Sequence, residues 1–237
     1  WSSTIHRTGA RMDRQWLESV CEFSCTAAIL APSPGPWAGQ EQPPWAHPHV
    51  NTWKTSTQIK ARLQRRLDGN MTRLKILHHP DPRLRTKATP VDTFDSQLAE
   101  FAENMLETMY AAPGIGLAAT QVNVHKRVIV VDVSDTKSEA YTLINPVLEP
   151  FGAKIQGEEG CLSVPEIYES VERFEQVNVT AQDVNGEPIE FTASGMLAIC
   201  IQHECDHLEG RVFVDYLSSL KRNRISKKLR ERSKTLV

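Results

Sequence analysis

Cysteine is scarce in this 237-residue chain, and the five present make an odd number. That argues against a closed disulfide framework and fits a reducing compartment, so a cytoplasmic protein is expected. Long apolar runs are missing as well. Thr26-Ala-Ala-Ile-Leu-Ala31 is too short for the core of a secretory signal, and no stretch is long enough to span a bilayer, so no membrane partner is expected. No internal repeat is present. Charge of one sign is not in excess over the whole chain, where 27 Lys and Arg face 29 Asp and Glu for a formal net charge of -2. The imbalance is regional. Residues 1 to 70 carry 8 basic against 5 acidic side chains, or +3, and residues 71 to 237 carry 19 against 24, or -5.

The first 70 residues hold all five tryptophans and show no sustained periodicity, so they are expected to be a poorly ordered extension. Cys21 and Cys25 form a C-x3-C pair there, with neither a second pair nor nearby histidines to complete a metal site. From residue 71 the character changes, and 71 to 237 is long enough for one domain with a core, burying about 70% of its unfolded surface.

The chemistry begins at His203-Glu-Cys-Asp-His207. Histidines four residues apart lie on one helical face and can grip a single cation. Glu204 is turned about 100° from His203, beside such a metal, where a carboxylate can act as general base. A chance H-E-x-x-H on a solvated helix is nearly as common, so the context decides. Ser194-Gly-Met-Leu-Ala-Ile-Cys-Ile-Gln202 precedes it, an apolar helical run after a Ser-Gly break. Counting back by threes and fours gives Cys200, Ile199 and Met196, an apolar stripe leading to the histidines and the wall of a pocket. Cys205 points off that face and reads as a packed thiol.

Two histidines need a third ligand. The extended pattern with a third histidine six residues on places Gly210 correctly but ends on Phe213. Beyond Glu209 the only glutamate is Glu231, set among eight Lys and Arg between 221 and 234. Cys161 remains, preceded by Gly160 and followed by Leu-Ser-Val-Pro, where the residue before proline turns extended. A thiolate would complete a Cys-His-His site and suit Fe(II), Zn(II) or Co(II).

Three stretches, Gly114-Ile-Gly-Leu-Ala-Ala-Thr-Gln121, Glu159-Gly-Cys-Leu-Ser163 and Gln202-His-Glu-Cys-Asp-His207, occur in the order of the peptide deformylase motifs G-x-G-L-A-A-x-Q, E-G-C-L-S and Q-H-E-x-D-H. The chain resembles bacterial-type peptide deformylases over about 71 to 237, including Met71-Thr-Arg-Leu-Lys-Ile-Leu and Pro80-Asp-Pro-Arg-Leu-Arg85. The resemblance implies a metal-dependent hydrolase that removes the formyl group from the N-terminal formyl-methionine of nascent polypeptides and releases formate. It implies Cys161, His203 and His207 as ligands of one ion, with Fe(II) favoured and zinc, nickel or cobalt able to substitute, and Glu204 as the proton shuttle. An iron-thiolate site would be sensitive to oxygen. The oxyanion would be met by the Gln121 side-chain amide and the Leu162 backbone N–H; one such donor is worth about 3 kcal/mol. Gly114 and Gly116, lacking a Cβ, would let the peptide lie alongside as an added strand. Ile115, Leu162, Met196, Ile199 and Cys200 are the candidates for the methionine pocket. Glu159, Asp206 and Arg173 are expected to orient the ligands. Tyr168 and Gly157 are expected at the pocket rim.

Met71 stands where the resembled family starts and residue 1 is not methionine, so 1 to 70 is expected to be an upstream-translated stretch or part of a fragment. The alternative is a transit peptide, which would place the protein in an organelle stroma or matrix.

The scaffold reads as α+β. Phe94, Leu98, Phe101, Met105 and Met109 recur at helical spacing after Asp92, a candidate N-cap, giving an amphipathic helix over 93 to 111. Val128 to Val133 and Tyr141 to Asn145 read as strands. Val177 to Gln182 and Pro188 to Ala193 flank a hairpin signal at Asp183-Val-Asn-Gly186. The order of helix, strands and metal helix predicts small antiparallel or mixed sheets packed around that helix, not a parallel βαβ fold. Lys221 to Lys234 reads as a basic C-terminal helix whose ordinary role is a solvated surface, with rRNA of the ribosome as a possible electrostatic partner. Two rivals are an internal-bond zinc peptidase, which lacks its third His or Glu, and a non-catalytic metal-stabilised module, which would need neither Glu204 nor Gln121.

Overall fold

The computed structural model describes residues 73–235; the expectations for residues 1 to 70, including the Cys21/Cys25 pair, and for Met71 lie outside the described residues. Three α-helices and five strands follow in the order α1 (Ser96–Ala111), β1 (Gly116–Ala118), β2 (Val128–Val131), β3 (Tyr141–Cys161), β4 (Val164–Gln182), β5 (Pro188–Ser194), α2 (Gly195–Leu208) and α3 (Ser219–Thr235). The α+β expectation holds. The strands form a single five-stranded sheet in sequence order, with each neighbouring pair antiparallel. Parallel pairing among the described residues is confined to an isolated bridge between Thr89 and Lys126.

Helix α1 begins later than the periodicity suggests. Asp95, not Asp92, is the N-cap, its Oδ1 accepting from the Leu98 N–H at 2.9 Å. Phe94 therefore stands outside the helix and packs beside Gly186 of the β4–β5 turn, where a Cβ would lie 3.2 Å from its ring. The helix ends at Ala111, two residues before Pro113, which cannot continue it.

Strand β2 shows why a short apolar run appears here without alternation. Val128 and Val130 face the core shared with Met105 and Met109 of α1, while Ile129 and Val131 face the core shared with Ala198, Ile201 and Leu208 of α2. All four are fully buried because the sheet is covered on both faces at this point. Burying each such side chain is worth about 1.5–3 kcal/mol.

Strands β3 and β4 form a long hairpin of 21 and 19 residues. Its register shifts at Ile144/Val147, Phe151/Lys154 and Glu159/Cys161, so the ribbon bends and its tip, at Cys161, lies against α2. A third core lies behind that tip. Val164, Ile167 and Val171 of β4 pack with Val212, Phe213 and Ile225 and Leu229 of α3, with Cys161 against them.

Helix α2 starts at Gly195, whose φ of 58° only glycine adopts easily, and stops at Gly210, whose φ is 72°. The Gly210 N–H donates to the His207 carbonyl at 3.1 Å and the Arg211 N–H to the Asp206 carbonyl at 2.9 Å, closing a Schellman motif. Gly210, which fits a zinc-peptidase pattern in sequence, is here the helix stop.

Candidate active site

The tip of the β3–β4 hairpin supplies Cys161, and the face of α2 turned toward it supplies His203 and His207. One donor atom from each lies within 4.8 Å of the other two, and Cys161 Sγ is 3.2 Å from His207 Nε2. The two imidazoles stand one turn apart with ring centres separated by 5.1 Å. His203 Nδ1 lies 2.8 Å from Glu159 Oε2, which leaves Nε2 for the site. A thiol and two imidazoles converging in a buried place, one imidazole oriented by a carboxylate, are the donor set and outer contact of a transition-metal site. The residues fit such an ion.

Glu159 is itself held. Arg173 of β4 donates from Nε to Glu159 Oε1 at 2.6 Å and from Nη2 to Oε2 at 3.1 Å, and from Nη1 to Asp206 on α2 at 2.5 Å. The Tyr216 hydroxyl lies 2.8 and 2.9 Å from the two Asp206 oxygens, and the Arg173 guanidinium sits 4.9 Å from the Tyr216 ring centre. One guanidinium thus ties the strand that carries Cys161 to the helix that carries both histidines. Burial opposes charge on Glu159, but its bonds to His203 and Arg173 hold the carboxyl down at about 2. Burial likewise opposes the Arg173 charge, and the two carboxylates push its pKa up instead. Burial lowers both histidines; nearby Cys161 and Glu159 raise His203 well above its usual value, while His207 stays well below.

Glu204 differs from these carboxylates, as His207, whose Nδ1 is also without a hydrogen-bond partner among the described residues, differs from His203. Glu204 is 4% exposed, and its Oε2 has no hydrogen-bond partner among the described residues. Desolvation raises its carboxyl to about 7, with His203 opposing the shift. A Cβ on Gly116 would strike the Glu204 carboxylate and lie 2.7 Å from Cys200 Sγ, so only glycine lets β1 approach this closely.

Gln121 sits on the short 3₁₀ turn Ala119–Val122 that follows β1. Its Oε1 accepts from the Ala118 N–H at 2.7 Å, which turns the NH2 group toward Ser163 Oγ at 3.1 Å and Cys161 Sγ at 3.5 Å. Leu162 occupies the hairpin turn beside Cys161, its side chain closing over Gly114, where a Cβ would lie 2.7 Å away.

A cavity of about 520 Å³ opens next to these groups. It is lined by Gly114, Ile115, Gly116, Leu162, Met196, Ile199 and Cys200, all anticipated from the sequence, and by Cys161, His203 and Glu204. Gln121 and His207 lie deeper, each about 1% exposed. The Cys200 thiol points at the Ile115 carbonyl at 3.5 Å, and burial raises its pKa well above that of a free cysteine. Burial raises Cys205 too; it packs against the core between α2 and the sheet and lies outside the cavity. Gly157 does not line the cavity; Ile199 passes 3.9 Å from where its Cβ would be. Ile167 and Tyr216 join the site without a motif that marks them in the sequence. Ile167 lines the cavity from β4, and its signal was the apolar Ile167-Tyr168 pair within a charge-rich strand. Tyr216 comes from a separate turn, Phe213–Tyr216, and nothing local to it points to Asp206.

The sequence model of the polypeptide deformylase family matches residues 73–223. Peptide deformylase of Stutzerimonas stutzeri (strain A1501) is 59% identical over 160 residues, covering 67% of this chain and 95% of that protein. Among solved structures, a peptide deformylase from Legionella pneumophila is 45% identical with a TM-score of 0.67, over 70% of this chain and 98% of that one. A peptide deformylase from Synechococcus elongatus, solved in complex with actinonin, is 43% identical with a TM-score of 0.62, over 65% and 86%. With the Cys-His-His group and the cavity beside it, these likenesses lead to one conclusion: the chain belongs to the polypeptide deformylase family, the metal-dependent hydrolases that remove the N-terminal formyl group from nascent peptides.

Proposed function

We propose that Cys161, His203 and His207 hold one divalent ion and that Glu204 carries the proton in hydrolysis of the formyl amide. The observation that carries this assignment is a buried carboxylate with an unpartnered oxygen, Glu204, beside three converging soft and borderline donors. An ion held by these three residues would supply Lewis acidity at the cavity. Glu204, buried beside the three donors with one oxygen unpartnered, is placed to accept a proton from the attacking water and return it to the departing amine. The Gln121 NH2, fixed by the Ala118 N–H on its other end, and the Leu162 backbone N–H are the donors for the charge that develops on the formyl oxygen. The Gly114–Gly116 edge takes the peptide as an added strand, and the methionine side chain fills the space among Ile115, Leu162, Met196, Ile199 and Cys200.

A thiolate with two imidazoles suits Fe(II), Zn(II), Co(II) or Ni(II), and Fe(II) is the ion proposed for activity. Residues 71 to 237 are proposed as the catalytic domain, and the cytoplasm as its compartment, where Cys161, Cys200 and Cys205 stay reduced. Among the described residues no helix is long and apolar enough to cross a membrane. The outer face of α3, with Lys227 and Lys228 among its basic residues, is proposed to meet rRNA, because Ile225 and Leu229 anchor its other face. Replacing Lys227 and Lys228 by Glu tests this: co-sedimentation with ribosomes at low salt should fall, and unchanged binding removes the proposal.

The reaction is tested by formate release from a formyl-Met tripeptide by the full chain loaded anaerobically with Fe(II), with the acetyl-Met peptide as control. Formate from the first peptide alone supports the assignment; metal bound without formate refutes it. The same cavity is proposed to take actinonin, which should then compete with the peptide.

A further inference from the structure

A second cavity of about 520 Å³ lies on the far side of α2. At about 100° per residue, Cys200, His203 and Glu204 face the cavity proposed for the peptide, while Gln202, Cys205 and Asp206 point roughly 180° away and line the second one. Its opposite wall is the base of the β3–β4 ribbon. Two of the register shifts, at Ile144/Val147 and Phe151/Lys154, bracket residues 147 to 151 and bend that wall. The third, at Glu159/Cys161, seats Tyr168 on Gly160 beside the other cavity. Both walls are pinned by side-chain amides. Asn145 bonds to the carbonyl and the N–H of Val91 at 2.9 and 2.8 Å, and Gln202 bonds to the carbonyl and the N–H of Phe174 at 2.8 and 3.2 Å.

The two cavities differ in charge. The described residues lining the first include Glu158, Glu159, Glu166 and Glu204 and no Lys or Arg, whereas the second is lined by Arg127, Lys154, Arg173 and Arg211 against Glu172, Asp206 and Glu209. The carboxylates of the second are already engaged. Glu172 meets Lys154 at 3.1 Å, Glu209 meets Arg127 at 2.7 Å and Lys87 at 3.0 Å, and Asp206 holds Arg173 and Tyr216. Arg211 is the cation left with the weakest partner. Its Nε stands 3.4 Å from Asp206 Oδ1, beyond a well-formed hydrogen bond, and its side chain is 55% exposed. A guanidinium so placed keeps its fork for a second carboxylate, which it takes in two parallel bonds. Apolar surface lies in the same cavity, where Val147 is 60% exposed and Leu148, Pro150 and Phe174 contribute to the lining.

We propose that this rear cavity is a binding site for a small organic carboxylate with an apolar body. Arg211 takes the carboxylate, Lys154 adds its charge from above the Phe174 ring, and Val147, Pro150 and Phe174 cover the body. Charge complementarity sets the ligand class: the carboxylates of the front cavity repel an anion that the cations of the rear one attract. A neutral molecule would leave Arg211 unmatched, and a cation would be opposed by it.

The test titrates 3-phenylpropionate into the full, Fe(II)-loaded chain at low salt under anaerobic conditions, followed by calorimetry. Two comparison compounds divide the ligand: 3-phenylpropanamide keeps the body without the charge, and acetate keeps the charge without the body. The acid should bind saturably, and the amide and acetate should each bind about tenfold more weakly or worse. Arg211→Met and Val147→Asp, both at exposed side chains, should weaken the acid by about tenfold, while Lys228→Ala on α3 should leave it unchanged; melting temperatures check that the variants fold. No saturable binding, equal affinity for acid and amide, binding indifferent to Arg211→Met, or a loss as large in Lys228→Ala overturns the proposal.

Discussion

Helices α2 and α3 are of similar length, 14 and 17 residues, yet they handle polarity in opposite ways. α2 buries Gln202, His203, Glu204, Asp206 and His207, and all but Glu204 have a side-chain polar partner, though His207 uses only Nε2: Gln202 with the Phe174 backbone, His203 with Glu159, Asp206 with Arg173 and Tyr216, His207 with Cys161. α3 buries only apolar Ile225 and Leu229 among its described side chains and turns its charges to solvent, where Lys227 and Glu231 approach to just 3.9 Å. Burying polar groups is expensive unless they are matched. The concentration of matched polar groups on α2, with one carboxylate left unmatched toward the cavity, therefore locates the chemistry. On α3, apart from Lys221, which pairs with Glu169 at 2.6 Å, and Arg222, which donates to the Asp215 carbonyl, the charge of Lys227 and Lys228 is solvated and cheap to change.

That contrast can be broken at several places. The largest effect is expected on replacing Cys161 by Ser: metal content measured after gel filtration should fall to background and activity with it, while retained metal would place the ligands elsewhere. Gln121→Ala should lower kcat by about 10²–10³, as removal of one oxyanion donor does, with metal content intact. A change in KM alone would make it a binding group. Arg173→Ala leaves Glu159 and Asp206 buried without their cation and should destabilise the fold by about 3–5 kcal/mol, read by urea unfolding. Arg173→Met, which fills the space, should fall short of that loss only if Asp206 remains held by Tyr216. Acid sharpens the same point. Glu159 titrates at about 2 in the folded chain against 4.5 unperturbed, so its contribution to stability is complete above the unfolded value and is lost as pH falls through about 2. In Glu159→Gln that part of the acid dependence should vanish from unfolding curves taken between these values. The smallest effect belongs to α3, where Lys227→Ala should leave the melting temperature unchanged, as exposed pairs contribute little.

The two histidines proposed as ligands and Glu204 were legible because a four-residue spacing on an apolar helix is a local property. Cys161 was legible from its neighbours, and Gln121 and Leu162 only through family resemblance, since the roles proposed for them depend on a turn and a hairpin tip far apart in sequence. The hairpin itself was half seen. Residues 146 to 161 and 164 to 176 show little apolar alternation, because much of that ribbon is exposed, so the strand signals end at Asn145 and return at Val177. The bulge that seats Tyr168 on Gly160 is a property of strand pairing, and no single strand's sequence displays it. Asp92 and Asp95 are equally good caps by residue type; the choice fell to Asp95 because Phe94 is taken by the β4–β5 turn.

The most direct measurement compares wild type with Glu204→Ala at equal, verified Fe(II) content, following formate release from a formyl-Met tripeptide. The wild-type chain should release one formate per peptide, and the variant should be slower by about 10²–10⁴ with its metal and melting temperature retained. Equal rates in the two proteins, or no formate from a folded and metal-loaded wild type, would contradict Glu204 as the proton carrier of a deformylase site.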